Sequence, residues 1–145
     1  SPMLQPNSVR ELIARFHQER AACLLGTVER DDPTGFGRVV RDDAGKFVGI
    51  VEEKDATEKQ RAIREVNVST YVFDVAQLLA SLDRLTDDNA QGEYYVTDCP
   101  ALLLSEGKHV EALACLQPCE ALSINSREDL AAVEAELHKQ APSNP

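Results

Sequence analysis

The 145-residue chain is predicted to fold as an α/β domain: apolar residues recur at helical spacing in some segments and alternate, or run unbroken, in others. Strand-like and helix-like segments follow one another along the whole chain, and few strands are joined by a crossover helix. A sheet built from these segments alone is therefore expected to keep an uncovered edge or face, which another piece of chain would complete. With 43% hydrophobic residues, one core burying roughly two thirds of the unfolded surface is within reach, and two full domains are not expected.

Val9, Leu12, Ile13 and Phe16 repeat at helical spacing, with Ser8 and Glu11 placed as a capping box, so the first helix is expected over residues 8–19. Residues 21–28 form a short apolar run that suits a strand covered on both faces. The chain turns at Asp31-Asp32-Pro33-Thr34-Gly35. Residues 38–41 and 46–53 are strand-like, and Asp42-Asp43-Ala44-Gly45 connects them as a hairpin. Residues 55–64 suit a short solvated helix or turn.

Residues 65–73 alternate Val66, Val68, Thr70 and Val72 with Glu65, Asn67, Ser69 and Tyr71, the pattern of a strand. Val75, Leu78, Leu79 and Leu82 return to helical spacing behind an Asp74 cap. Thr97 is placed to cap a helix through Leu104, with Pro100 tolerated in its first turn. Leu130, Val133 and Leu137 form the last helical pattern behind Ser126. One domain is expected over residues 1–140, with a flexible tail over 141–145.

The net charge of −10, without a Lys/Arg run, speaks against nucleic acid as a partner. Backbone N–H groups and a few basic residues can still hold a small anion. No stretch approaches the ~20 apolar residues of a membrane span, so no membrane partner is expected. Cys23, Cys99, Cys115 and Cys119 lack metal-ligand spacing, and four are too few for a disulfide scaffold. Cys115 and Cys119 are better read as half-buried thiols around Pro118, and the expected location is the cytoplasm. His17, His109 and His138 share no spacing with a cysteine or acid, and no Ser/His/Asp or Cys/His arrangement is legible.

Four places carry candidate chemistry. Gly35-Phe36-Gly37 allows a close backbone approach to a ligand, although a tight loop without a ligand is the commoner meaning of an isolated glycine pair. Glu52, Glu53 and Lys54 end a strand where α/β sheets place ligands, and a carboxylate there accepts from hydroxyls; a solvated strand end with a surface ion pair fits too. Asn67 shares a strand face with Glu65 and Ser69 and needs partners for its amide, from a ligand or from the core. Residues 89–98 crowd amides, acids, tyrosines and a threonine between two helices, and Asn125 precedes a helix start where anions or ordinary capping are both served.

Asp32-Pro33-Thr34-Gly35-Phe36-Gly37-Arg38, then Ile50-Val51-Glu52-Glu53-Lys54-Asp55-Ala56-Thr57, then Asn89 to Asp98, in this order and spacing, resemble the bacterial N-acetylglucosamine-1-phosphate uridylyltransferases, a branch of the sugar-1-phosphate nucleotidyltransferases. The resemblance runs from Ser1 to about Leu137. It implies the C-terminal half of a Rossmann-like nucleotidyltransferase domain with a mixed sheet. The implied activity is uridylyl transfer from UTP to N-acetylglucosamine 1-phosphate, with Mg2+ as cofactor.

By this resemblance, Gly37 meets the substrate through its backbone, Glu52 meets sugar hydroxyls, and Asn67 meets the sugar and its phosphate. Tyr95 and Thr97 lie around the N-acetyl group, Lys54 lies near the sugar phosphate, and Asn125 helps hold the magnesium. No residue of this chain takes a catalytic role. The glycine-rich phosphate loop, the uracil contacts and the metal-binding aspartate would precede Ser1, so an N-terminal half is the implied partner and the chain alone is expected to be inactive. A non-catalytic sugar-nucleotide-binding remnant, or a related transferase with another base or sugar, is the alternative. Where the family usually has Thr-Gly after the asparagine, Val68-Ser69 stands here.

Overall fold

A computed structural model describes residues 1–140; the tail expected over 141–145 lies outside the described residues. In chain order the elements are α1 (Pro6–Glu19), β1 (Cys23–Glu29), β2 (Gly37–Arg41), β3 (Phe47–Val51), α2 (Glu58–Arg61), β4 (Glu65–Phe73), α3 (Val75–Leu82), α4 (Cys99–Ser105), β5 (Val110–Leu113) and α5 (Arg127–Gln140). Single 3-10 turns stand at Val96–Asp98 and Pro118–Ala121. None of these helices is long and apolar enough to cross a membrane.

The five strands form one mixed sheet in the order β3-β2-β4-β1-β5. β5 runs parallel to β1, whereas β4 is antiparallel to β1 and to β2. One face carries Leu12, Leu24, Val28, Val66, Leu116 and Ala121, with Phe16 of α1 against them. The other carries Cys23, Leu25, Val39, Phe47, Leu103 and Val110, covered by α4. Both faces of β1 are therefore apolar, and its residues 23–28 are all buried, which explains the unbroken run.

β4 is nine residues long, yet β2 reaches only Val66 and Asn67 on its far side. From Val68 to Phe73 that side of the strand pairs with no other strand among the described residues, an open edge of the kind the strand count foretold.

Two capping expectations give way. The first helix starts at Pro6, whose missing N–H costs nothing in the first turn, and Gln5 stands before it without a side-chain cap. Ser8 is the third residue of the helix, buried, donating at 2.8 Å to Glu120, so it forms no capping box with Glu11. Thr97 likewise caps no helix: it lies within a 3-10 turn, α4 begins at Cys99, and its hydroxyl goes to Glu52. The caps at Asp74 and Ser126 are present, through Gln77 N–H at 3.0 Å and Asp129 N–H at 3.1 Å. The strand expected over 21–28 runs from Cys23 to Glu29, and β5 has no counterpart in the sequence-based expectations.

Candidate functional site

Gly37 opens β2 and stands opposite Asn67 of β4. Glu52 follows the last residue of β3, and its carboxylate folds back over the glycine: a methyl group on Gly37 would sit 3.4 Å from both Glu52 oxygens and 2.9 Å from Ile50 Cγ2. Gly37, Glu52 and Asn67 line one cleft of about 240 Å³, which Ala121, Leu122 and Ser123 also border. Three expected residues, from β2, from β4 and from just past the end of β3, thus share one cavity.

Asn67 is buried and accepts the Ser69 N–H at 3.1 Å. The Tyr71 hydroxyl lies near its NH2 group, which keeps a second N–H to offer a ligand oxygen. This geometry depends on a bulge: between Gly26 and Thr27 the β1 register skips from Thr70 to Asn67, and Ser69 is left in a left-handed conformation at φ 58°.

Glu52 also forms one wall of a second cleft, of about 240 Å³, with Asp55, Asp88, Asn89, Tyr95 and Asp98. Thr97 Oγ1 donates to Glu52 Oε1 at 2.8 Å from behind. Tyr95 belongs to this second cleft, where its hydroxyl accepts from Gln91 Nε2 at 2.7 Å. Burial, with Asp55 nearby, pushes the Asp98 carboxyl above its usual range. Lys54 lines neither cleft; its ammonium donates to Gln91 Oε1, and the same amide donates to the Tyr95 hydroxyl.

Asn125 also lines neither cleft. It is exposed, and its NH2 donates to Ser123 Oγ at 3.2 Å. The neighbouring carboxylate, Asp129, accepts the N–H groups of Asn125 and Ser126, each at 3.0 Å, which hold its pKa below the usual range. Magnesium favours carboxylates and phosphates in an octahedral shell, and one neutral carboxamide beside an engaged acid does not make such a shell. The described residues around Asn125 do not fit a magnesium site by themselves.

Sequence reasoning passed over two buried charges that shape the site. Arg38, 1% exposed, reaches Glu53 at 2.7 Å through Nη2 and donates to the Arg61 carbonyl at 3.3 Å. That ion pair holds the Glu53 carboxyl below its usual range and braces the loop against the strand end carrying Glu52. Glu120, fully buried beside the first cleft, accepts from Gln5 N, Ser8 Oγ and Gln117 N. A lone acid in the run Leu116 to Leu122 was its only sequence signal. A cavity of about 790 Å³ between α1, residues 115–119 and α5 holds none of the expected site residues. Cys115 and Cys119 line it as free, half-buried thiols, and burial pushes Cys115 up to about 11.

Residues 3–116 match the profile of the nucleotidyl transferase family. The chain is 47% identical over 137 residues to the bifunctional protein GlmU of Heliobacterium modesticaldum, covering 94% of this chain and 30% of that protein. It is 44% identical over 139 residues to the GlmU of Mycolicibacterium gilvum, covering 96% and 28%. The chain thus spans under a third of the length of these relatives. A UDP-glucose pyrophosphorylase crystallised with UDP-glucose superposes with a TM-score of 0.69 at 10% identity, over 96% of this chain and 52% of that one, which establishes a shared Rossmann-like fold. With this fold, a family profile over most of its length and Gly37, Glu52 and Asn67 around one cleft, the chain belongs to the nucleotidyl transferase family.

Proposed function

We propose that this chain supplies the sugar-binding part of a uridylyltransferase that joins UTP and N-acetylglucosamine 1-phosphate to give UDP-N-acetylglucosamine and pyrophosphate. The observation that carries the reading is the single cleft bounded by Gly37, Glu52 and Asn67. A carboxylate that accepts and an amide that donates suit the alternating hydroxyls of a pyranose, and the missing Cβ of Gly37 lets the ring approach the strand. In this reading Tyr95 and Thr97 border the N-acetyl side, Lys54 serves the sugar phosphate, and Asn125 offers magnesium one ligand, the others being phosphates and groups outside the described residues.

The sugar phosphate attacks the α-phosphorus of UTP and pyrophosphate leaves, so the enzyme must neutralise a triphosphate. Neither cleft is lined by a lysine or arginine, and the open edge of β4 is where a further strand would complete the sheet. Both features support a partner half that carries the nucleotide; the assembled domain is proposed to work in the cytoplasm. The 145-residue chain is accordingly expected to bind UDP-N-acetylglucosamine weakly and to release no pyrophosphate.

Ligand-observed NMR of the chain with UDP-N-acetylglucosamine tests this. Saturation transfer to the sugar protons that disappears in Asn67→Ala and Glu52→Gln supports the proposal. Transfer to the uridine alone, or transfer unchanged in both variants, overturns it. Pyrophosphate release by the chain alone would overturn the division of labour.

A further inference from the structure

At the other end of the sheet a second group of ligating side chains converges. Glu19 lies in the last turn of α1, while His109 and Glu111 flank Val110 at the start of β5. Val110 pairs with Cys23 at the head of β1, whereas the cleft lies beside Thr27, four residues and about 13 Å further along that strand. Residues two apart on an extended chain point to one side, which brings the imidazole and the second carboxylate together. His109 Nε2 stands 3.0 Å from Glu19 Oε2, and one ligand atom from each of the three residues lies within 4.8 Å of the others.

The backbone is fixed from both directions: the Ala22 N–H donates to the His109 carbonyl at 2.8 Å, and β5 is in register with β1. Arg15 Nε approaches Glu19 Oε1 at 2.9 Å and leaves Oε2 to face the histidine. Two carboxylates held this close repel unless a proton or a cation lies between them.

We propose that Glu19, His109 and Glu111 bind a divalent transition metal of the zinc class, with one imidazole nitrogen, two carboxylate oxygens and the remaining position open to water. Ligands about 2.1 Å from zinc at a tetrahedral angle lie about 3.4 Å apart. The His109 to Glu19 separation, 3.0 Å, is already that short, and an oxygen of Glu111 lies within 4.8 Å of both. The imidazole favours zinc over magnesium, which prefers an all-oxygen shell. The side chains of His109 and Glu19 are 49% and 22% exposed, so the ion has a path in. A bound metal would clamp the end of α1 to the start of β5, remote from the sugar cleft.

Titration of the native chain with Zn2+, followed by calorimetry and thermal melting, tests the assignment, with Co2+ as a spectroscopic probe. One equivalent should bind and raise the melting temperature, and millimolar Mg2+ should not compete. Loss of even an outer-shell partner weakens metal sites by about tenfold, so His109→Ala and Glu111→Gln should each weaken binding at least that much. Metal-free melting curves matching the native chain establish that both variants fold. Absence of a zinc-dependent shift, equal affinity in the variants, or a thiolate-to-cobalt charge-transfer band placing the ion on cysteine would each overturn the proposal. UDP-N-acetylglucosamine binding is read separately, so either assignment can fail alone.

Discussion

Thr97 donates its hydroxyl to Glu52 Oε1 at 2.8 Å, joining residues 45 positions apart, so the segment after α3 sets the orientation of the carboxylate that walls both clefts. Thr97 is 6% exposed, which leaves its hydroxyl few alternatives to this bond. The first cleft therefore depends on a residue that does not line it.

Replacing Thr97 with valine keeps the shape and deletes the donor. A hydrogen bond to a charged group contributes about 1.5–3 kcal/mol, and Glu52 is only half-buried, so a loss of about 1–2 kcal/mol is expected in urea denaturation. Sugar saturation transfer should fall as the carboxylate swings free, and Thr97→Ser should retain both stability and binding. Equal stability of Thr97→Val and the native chain would show that the bond is immaterial.

Gly37→Ala probes the opposite wall. The new methyl would come within 2.9 Å of Ile50 Cγ2 and 3.4 Å of both Glu52 oxygens, so the carboxylate must yield or the methyl fills the space kept for the ring. Binding of UDP-N-acetylglucosamine should weaken by about tenfold or more, equivalent to about 1.4 kcal/mol. An affinity within twofold of native would mean that no ligand approaches β2 here.

How far these contacts could be read from sequence follows from their range. The bounds of β4 and α3 were legible because alternation, helical spacing and the Asp74 cap are local signals. Glu52 and Asn67 stood out as polar residues ending or interrupting apolar strands, and the resemblance placed them together. Ser8 and Thr97 were misread as caps because their partners, Glu120 and Glu52, lie 112 and 45 residues away. β5 was missed because four residues with an acid among them become a strand only by pairing with the edge of β1. Asn125 looked like an anion site at a helix start, but its backbone N–H is already taken by Asp129.

The Arg38–Glu53 pair makes stability depend on pH. Arg38 holds the Glu53 carboxyl below its usual range, so between the folded value and the unfolded value of about 4.3 the unfolded chain binds more protons. The contribution is complete above the unfolded value and is lost as pH falls through the folded one. Asp32, Asp129 and Glu136 are lowered too and titrate in the same acidic window. Urea midpoints of the native chain should therefore drop as pH falls from about 5 to about 3, and Glu53→Gln should show a shallower drop. It should also be less stable at neutral pH, since Arg38 is left buried without its anion. Parallel pH profiles for the two proteins would contradict the pairing.

Ser69 carries the last prediction. Its φ of 58° places a side-chain-bearing residue in the left-handed region, which costs roughly 1–2 kcal/mol, and it follows Asn67 where the resembling family usually has glycine. Glycine removes that penalty but adds unfolded-state entropy of roughly 0.5–1 kcal/mol, so Ser69→Gly should stabilise the chain by up to about 1 kcal/mol in urea. Valine, branched at Cβ, should destabilise it by more than that, because it tolerates this conformation least. The Ser69 N–H that Asn67 accepts is a backbone group and survives both changes, so sugar binding should persist in Ser69→Gly. A glycine variant less stable than native would mean that the Ser69 side chain contributes more than its strained backbone costs.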